Sequence, residues 1–243
     1  MVGALEGVGL TDEAQALRAA ASGATAPRET GSGARIFAGR LPPADAGNGD
    51  LWFDPVELTT MVLVPASADL SPDVAGWLAL RPCAVWQLRT FMRVGKVVRA
   101  PSTPKAYLDP RRLEGLPGRA PATGLWHDEA IAYAHWFGKT LAGRFHLEAA
   151  VAFLSPVQLD AILPEGLSLW DGAEYSEGKR EAVSRAQLAA GGDDDDNDDD
   201  DALGEWARRP DIGFATFVRT RSGLMTEPKR RTYFFDLDGV APR

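Results

Sequence analysis

The sequence predicts an α+β fold, and three observations carry that prediction. Two helix patterns come first, irregular tryptophan-bearing segments follow them, and a strand-like alternation stands near the end. Helices and strands are thus segregated along the chain, whereas a doubly wound parallel sheet would alternate them. With 243 residues, 45% of them hydrophobic and 25% charged, the composition is that of a globular protein with one large domain or two small ones. Fully disordered and fibrous classes are excluded.

Residues 1–34 read as a flexible N-terminal arm, because GATAPRETGSGA is turn and linker chemistry. Within the arm, Thr11-Asp12-Glu13 ahead of AQALRAAA has the form of an N-cap and a short helix. The folded domain is expected over 35–221. Val56–Pro65, VELTTMVLVP, is dense in β-branched and apolar residues and predicts a buried strand. Ala84–Val94 carries Val85, Leu88, Phe91 and Met92 at helical spacing. Residues 99–122, with prolines at 101, 104, 110, 117 and 121, predict a long surface excursion.

The strongest helix signal follows, over 127–138. Ala130, Tyr133, Ala134, Phe137 and Leu141 make one stripe, and Asp128 and Glu129 suit the positive end of the helix dipole. Gly138 or Gly143 is expected to end it. EAAVAFLS predicts a second, short helix that starts near Glu148 and stops before Pro156. From Leu167 the pieces are short and aromatic-rich, and Gly213–Arg219 alternates like a closing strand. Residues 222–243 form a C-terminal tail whose YFFDL run needs cover.

The net charge of −8 comes from 26 Lys and Arg against 34 Asp and Glu, but eight of those acids lie in DDDDNDDDD at 193–201. Without them the body balances at 26 against 26, which argues against nucleic acid as a partner. Self-repulsion predicts a disordered acidic loop near 190–202. Cys83 is the single cysteine, so an intramolecular disulfide and a multi-cysteine metal site are both ruled out. No apolar run approaches the ~18–20 residues that span a bilayer, and MVGALEGVGLTDEAQ lacks the basic-then-apolar pattern of a secretory signal. The expectation is a reduced, cytoplasmic protein with no membrane span. The sequence contains no G-x-S-x-G, H-E-x-x-H or phosphate-loop motif.

The central helix region resembles the formylglycine-generating-enzyme/sulfatase-modifying-factor family, a branch of the C-type-lectin fold. Pro121, Trp126, Asp128, Ala130, Tyr133, Trp136, Gly138, Lys139 and Leu141 fall in register with its central motif, and Arg144–Ala149 follows after a short insertion. MVLVP at 61–65 is similar to the family's opening strand, and Pro82–Phe91 to its first helix. Leu169–Gly172 with Glu174-Tyr175 looks like a contracted loop motif, and Ile212–Phe214 with Val218-Arg219 like the closing strand. The resemblance implies a C-type-lectin-like fold, with two helices flanking a small antiparallel sheet and many loops. Trp126, Trp136, Trp170 and Trp206 would anchor those loops.

Catalytic members of that family bind copper through two cysteines near the C-terminal end, which the lone, upstream Cys83 cannot reproduce. A branch with a three-histidine iron site is not matched either. His127 and His135 are eight residues apart, His146 lies beyond the helix, and a separate ligand-supplying helical domain is missing. The resemblance therefore points to a non-catalytic ligand- or protein-binding module without a cofactor. It is similar to the variable proteins of diversity-generating retroelements and to accessory domains of bacterial signalling and conflict proteins, although an R-G-G-S-W-like motif is absent. The expected binding residues are Trp170, Tyr175, Trp206, Arg208, Arg209, Arg219 and Arg221, which combine hot-spot residue types without helical periodicity. Loop bracing is the alternative for the two tryptophans. Asp171, Glu174 and Glu177 offer oxygen ligands to calcium or else brace a solvated loop. They are also the carboxylates that a divergent enzyme of this fold would use.

Overall fold

The computed structural model describes residues 28–29, 34–39, 41–54, 56–65, 76–95, 113–172, 182–190 and 211–219. The segment around Thr11–Glu13, the acidic tract and the tail from 222 onward lie outside the described residues. Five strands come first: β1 (Arg28–Glu29), β2 (Arg35–Ala38), β3 (Leu51–Asp54), β4 (Thr59–Val64) and β5 (Gly76–Ala79). Helices α1 (Val85–Gly95) and α2 (His127–Trp136) are next, then β6 (Thr140–Leu141), α3 (Arg144–Phe153) and α4 (Pro156–Ile162). The described chain closes with β7 (Ser168–Trp170), β8 (Ala182–Ser184), α5 (Arg185–Ala190), β9 (Ile212–Gly213) and β10 (Thr216–Arg219). The class is α+β, as expected. No helix among the described residues is long and apolar enough to cross a membrane.

The main sheet is larger than the small antiparallel one the resemblance implied. Its seven strands run in the order β1-β2-β3-β4-β5-β10-β6, with β2 and β3 parallel and the other pairs antiparallel. A second sheet orders β8-β7-β9. The first strand pair lies partly inside the N-terminal arm, since Glu29 pairs with Arg35 and Arg28 with Ile36. The start at Arg35 has a physical cause. Its backbone N–H and its guanidinium both bond the Asp50 carboxylate, at 2.7–3.0 Å, which ties β2 to the approach of β3.

The apolar run at 56–65 becomes a tight turn and then β4, which is buried along its whole length, as a strand covered on both faces must be. Leu58 turns the corner at φ 57°, a left-handed conformation that a non-glycine residue adopts at about 1–2 kcal/mol. Helix α2 ends at Gly138 (φ 70°), where Lys139 N–H reaches the Ala134 carbonyl and Gly138 N–H reaches that of His135. This is a Schellman closure, and it turns the chain inward at Lys139.

Two apolar clusters fill the interior. One joins β3–β5 to α3, α4 and β7, and the other gathers α1, α2, Leu141, Trp170 and Phe214. Phe91 of α1 and Phe214 both meet the Tyr133 ring edge-on, at 5.1 and 5.2 Å. Helix α3 begins at Arg144, so Glu148 is an interior position paired with Arg144 at i,i+4 and not a first-turn residue. Pro156 does not merely stop a helix. With Ser155 as N-cap and Gln158 answering it, Pro156 opens α4.

Candidate functional site

Three acceptors from β3, β4 and the turn between them converge on one buried ammonium. Lys139 Nζ donates to Asp54 Oδ2 at 2.6 Å, to Glu57 Oε2 at 2.5 Å and to the Met61 sulfur at 3.4 Å, so its three protons have three acceptors. Thr216 of β10 donates to the same Glu57 oxygen at 2.9 Å, and the Glu57 carbonyl accepts from Gln87 Nε2. Burial alone pulls the ammonium's pKa down, but Asp54 and Glu57 together outweigh it and hold the group above its usual value. A lysine kept charged in this way is neither a base nor an amine nucleophile. It is a cross-link between β3, β4, the end of α2 and β10.

Beside this cross-link lie Cys83 and Tyr133, both fully interior. Burial, then the Glu57 charge, pushes the Cys83 thiol well up, so the reactive thiolate is suppressed. Burial likewise raises the Tyr133 phenol, and the neighbouring Cys83 and Glu57 add to that rise.

A second set of bonds holds the segment after β7. Trp170 is 2% exposed, and its indole N–H donates to the Leu125 carbonyl at 3.0 Å. Its ring therefore braces the loop ahead of α2 from inside. Asp171 Oδ1 accepts from Arg144 N–H at the start of α3, while the Asp171 carbonyl meets His127 Nε2 at 2.9 Å. His146 accepts from Gly143 N–H and stacks on Phe217, and His135 is exposed on α2. The three histidines occupy three separate settings. Among the described residues no group of three His, Cys, Asp or Glu could share a metal ion.

Of the other expected site residues, Arg219 ends β10 opposite Gly76. Tyr175, Glu174, Glu177, Trp206, Arg208, Arg209 and Arg221 lie outside the described residues. Their attachment points are described, however. The connection carrying Tyr175 joins the Trp170–Ala182 end of the small sheet, and the one carrying Trp206, Arg208 and Arg209 returns to β9 at its Ser168 end.

Sequence reasoning missed a cleft of about 550 Å³ at the start of α1. Its rim combines the β3–β4 turn (Leu58–Thr60), Leu80–Pro82 after β5, Trp86 and Gln87 of α1, the Arg119–Pro121 strap and the end of α4. Val85 N–H to the Ala120 carbonyl and Trp86 N–H to that of Gly118, both 2.9 Å, bind the strap to α1. In comparisons with known proteins, no family model, no curated protein and no solved structure matches the chain.

Proposed function

We propose that this chain is a non-catalytic, cytoplasmic ligand- or protein-binding module on a C-type-lectin-like scaffold, with its partner surface on the segments between Leu167 and Arg221. The observation that carries the reading is how the interior polar groups are spent. Lys139, Asp54, Glu57, Asp171, His127 and Trp170 all bond neighbouring segments, so they stiffen a loop-rich body without converging on a reaction centre. The connections bearing Tyr175, Trp206, Arg208 and Arg209 start and finish on that stiffened body. Variable binding loops need such a foundation. The suppressed thiol of Cys83 also weighs against copper-type oxidation at that residue.

The test is partner capture by the full chain from its native lysate, comparing wild type with Arg208→Ala/Arg209→Ala/Arg221→Ala. The triple variant should keep its melting temperature and lose capture at least tenfold, about 1.4 kcal/mol. Undiminished capture by the folded variant would move the interface elsewhere. In parallel, incubation with Cu(I), oxygen and a cysteine-containing peptide should yield no aldehyde. Turnover that disappears in Cys83→Ser would overturn the non-catalytic reading.

A further inference from the structure

The large apolar side chains exposed on the described surface are not evenly scattered. Six are exposed, and three of them, Val151, Phe153 and Val157, lie within seven positions where α3 passes into α4. That corner reads VAFLSPV, and all seven residues are exposed or half-exposed. The same two helices bury Leu147, Ala150 and Ile162 in the β3–β5 cluster, so their inward stripe is already satisfied. Single exposed apolar residues need no explanation, but a contiguous group marks a surface that something covers.

The strand registers place this corner at one margin of the main sheet. Gly49 N–H bonds the Leu63 carbonyl at 2.8 Å, Val64 pairs with Gly76, and Gly76 pairs with Arg219. The approach to β3 and the end of β10 therefore share that margin. The Phe153 ring rests on it, 3.5 Å from where a Cβ on Gly49 would stand. Three strand spacings separate β3 from β10, which amounts to roughly 14 Å. Beyond Arg219 the sequence reaches YFFDL at 233–237, with Tyr233 fourteen positions on. An unstructured linker of that length has a root-mean-square span of roughly 19–22 Å, which suits the distance to Phe153. Other segments fit the corner less well. The first 27 residues contain no aromatic side chain, and the connection after α5 is dominated by its aspartates. The 96–112 connection starts and finishes beside Phe91 and Leu113, in the other apolar cluster.

We infer that YFFDL docks on the α3–α4 corner of its own chain, laying its aromatic side chains against Val151, Phe153 and Val157. Each aromatic ring brings a large apolar area to bury, and the corner supplies the apolar surface to receive it. Tethering decides the occupant. A linker whose natural span matches the distance gives an effective concentration on the order of 1 mM, far above that of a second copy in dilute solution. A docked tail conceals both apolar runs from other chains, and a released one exposes both. The contact is separate from the partner surface proposed between Leu167 and Arg221 and stands or falls without it.

The test attaches a nitroxide to the full chain at Asp238→Cys, where the buried Cys83 stays unlabelled, and follows the Val151 and Val157 methyl resonances by NMR. In dilute protein the nitroxide should broaden both valines. Phe234→Ser/Phe235→Ser should remove that broadening. Val157→Asp should remove it too and keep the melting temperature, because its carboxylate enters the first turn of α4, where the helix dipole favours it. A peptide of residues 229–240 should bind the Phe234→Ser/Phe235→Ser chain with a dissociation constant of about 0.1 mM or tighter and shift the same methyls. It should bind wild type about tenfold more weakly, since a tethered competitor at about 1 mM must be displaced. No broadening in the wild type, broadening that survives in folded Val157→Asp, or equal peptide binding by both chains would each overturn the inference. So would broadening passed between chains in a mixture of nitroxide-bearing and nitroxide-free, isotope-enriched protein, which would make a second copy the occupant.

Discussion

Replacing Lys139 by methionine removes the ammonium but keeps most of the side chain's length. The structure sets the size of the effect. Lys139, Asp54 and Glu57 have side chains only 1%, 4% and 2% exposed, so water cannot substitute for the lost partner. Each carboxylate oxygen lies within 2.6 Å of the nitrogen, which leaves the two no more than about 5 Å apart. At an effective dielectric of about 20, their bare repulsion is roughly 3 kcal/mol. Removing one member of a buried ion cluster costs about 3–5 kcal/mol in general, and the two figures agree. For a chain of this size that corresponds to a fall in melting temperature of roughly 6–20 °C. Urea unfolding followed by tryptophan fluorescence should show the midpoint falling with an unchanged slope. The triple variant Lys139→Met/Asp54→Asn/Glu57→Gln should be more stable than Lys139→Met alone, because it removes the stranded charges. A Lys139→Met protein within about 1 kcal/mol of wild type would refute the cross-link argument, as would a triple variant less stable than the single one.

Other outcomes follow from the same geometry. Trp170→Phe should lose about 1–3 kcal/mol of stability, from the severed bond to the Leu125 carbonyl and the smaller buried ring, and should leave partner capture intact. A large capture defect in a stable Trp170→Phe protein would show that the ring does more than brace. Cys83 should resist a thiol-labelling reagent in the native protein and react fully in urea, since the thiol is 5% exposed and its pKa is raised. Rapid native labelling would contradict its placement. Asp50→Asn should cost about 1–3 kcal/mol at neutral pH. Burial alone would raise the Asp50 pKa, but the bonds from Arg35 and Gly47 outweigh it and hold the carboxyl below its usual value. That contribution is present above about pH 4 and disappears as pH falls through the folded-state value, so the wild-type advantage over Asp50→Asn should narrow in acid. An advantage that persists unchanged into strong acid would rule out the carboxylate as its source.

The two long helices were legible because their stripes are local. Val85, Leu88 and Phe91 predict α1 to within a residue, and the stripe through Ala130 and Tyr133 predicts α2, which stops at Gly138 for a reason that the glycine itself announces. Strand β4 was equally visible as an apolar run. Strands β3 and β5 were not, since LWFD and GWLA are four residues long and acquire their order from pairing with β4. The opening of α4 was readable but passed over, because Ser155-Pro156 followed by Gln158 is a capping pattern that a breaker reading of proline hides. Neither polar centre could be seen in one dimension. Lys139 meets Asp54 and Glu57 across more than eighty residues, and Arg81 and Arg119 come to line one cleft only because the strap folds back along α1. Charges at such separations look like solvated surface until the backbone brings them together.

The position of β10 constrains the timing of assembly on the ribosome. This strand sits between β5 and β6 and pairs with residues made long before it, Phe217 with Leu78 and Thr140, and Val218 with Trp77. At about 5–20 residues per second, the ribosome needs roughly 7–27 s to travel from Ala79 to Thr216. Throughout that interval β5 has one bare edge, Glu57 lacks its Thr216 donor, and an apolar strand template faces solvent or any neighbouring nascent chain. The fold therefore behaves as a late-closing object. Truncations just short of Thr216 should need chaperone protection or aggregate, and synthesis rate between these two strands is a variable on which the yield of native protein depends.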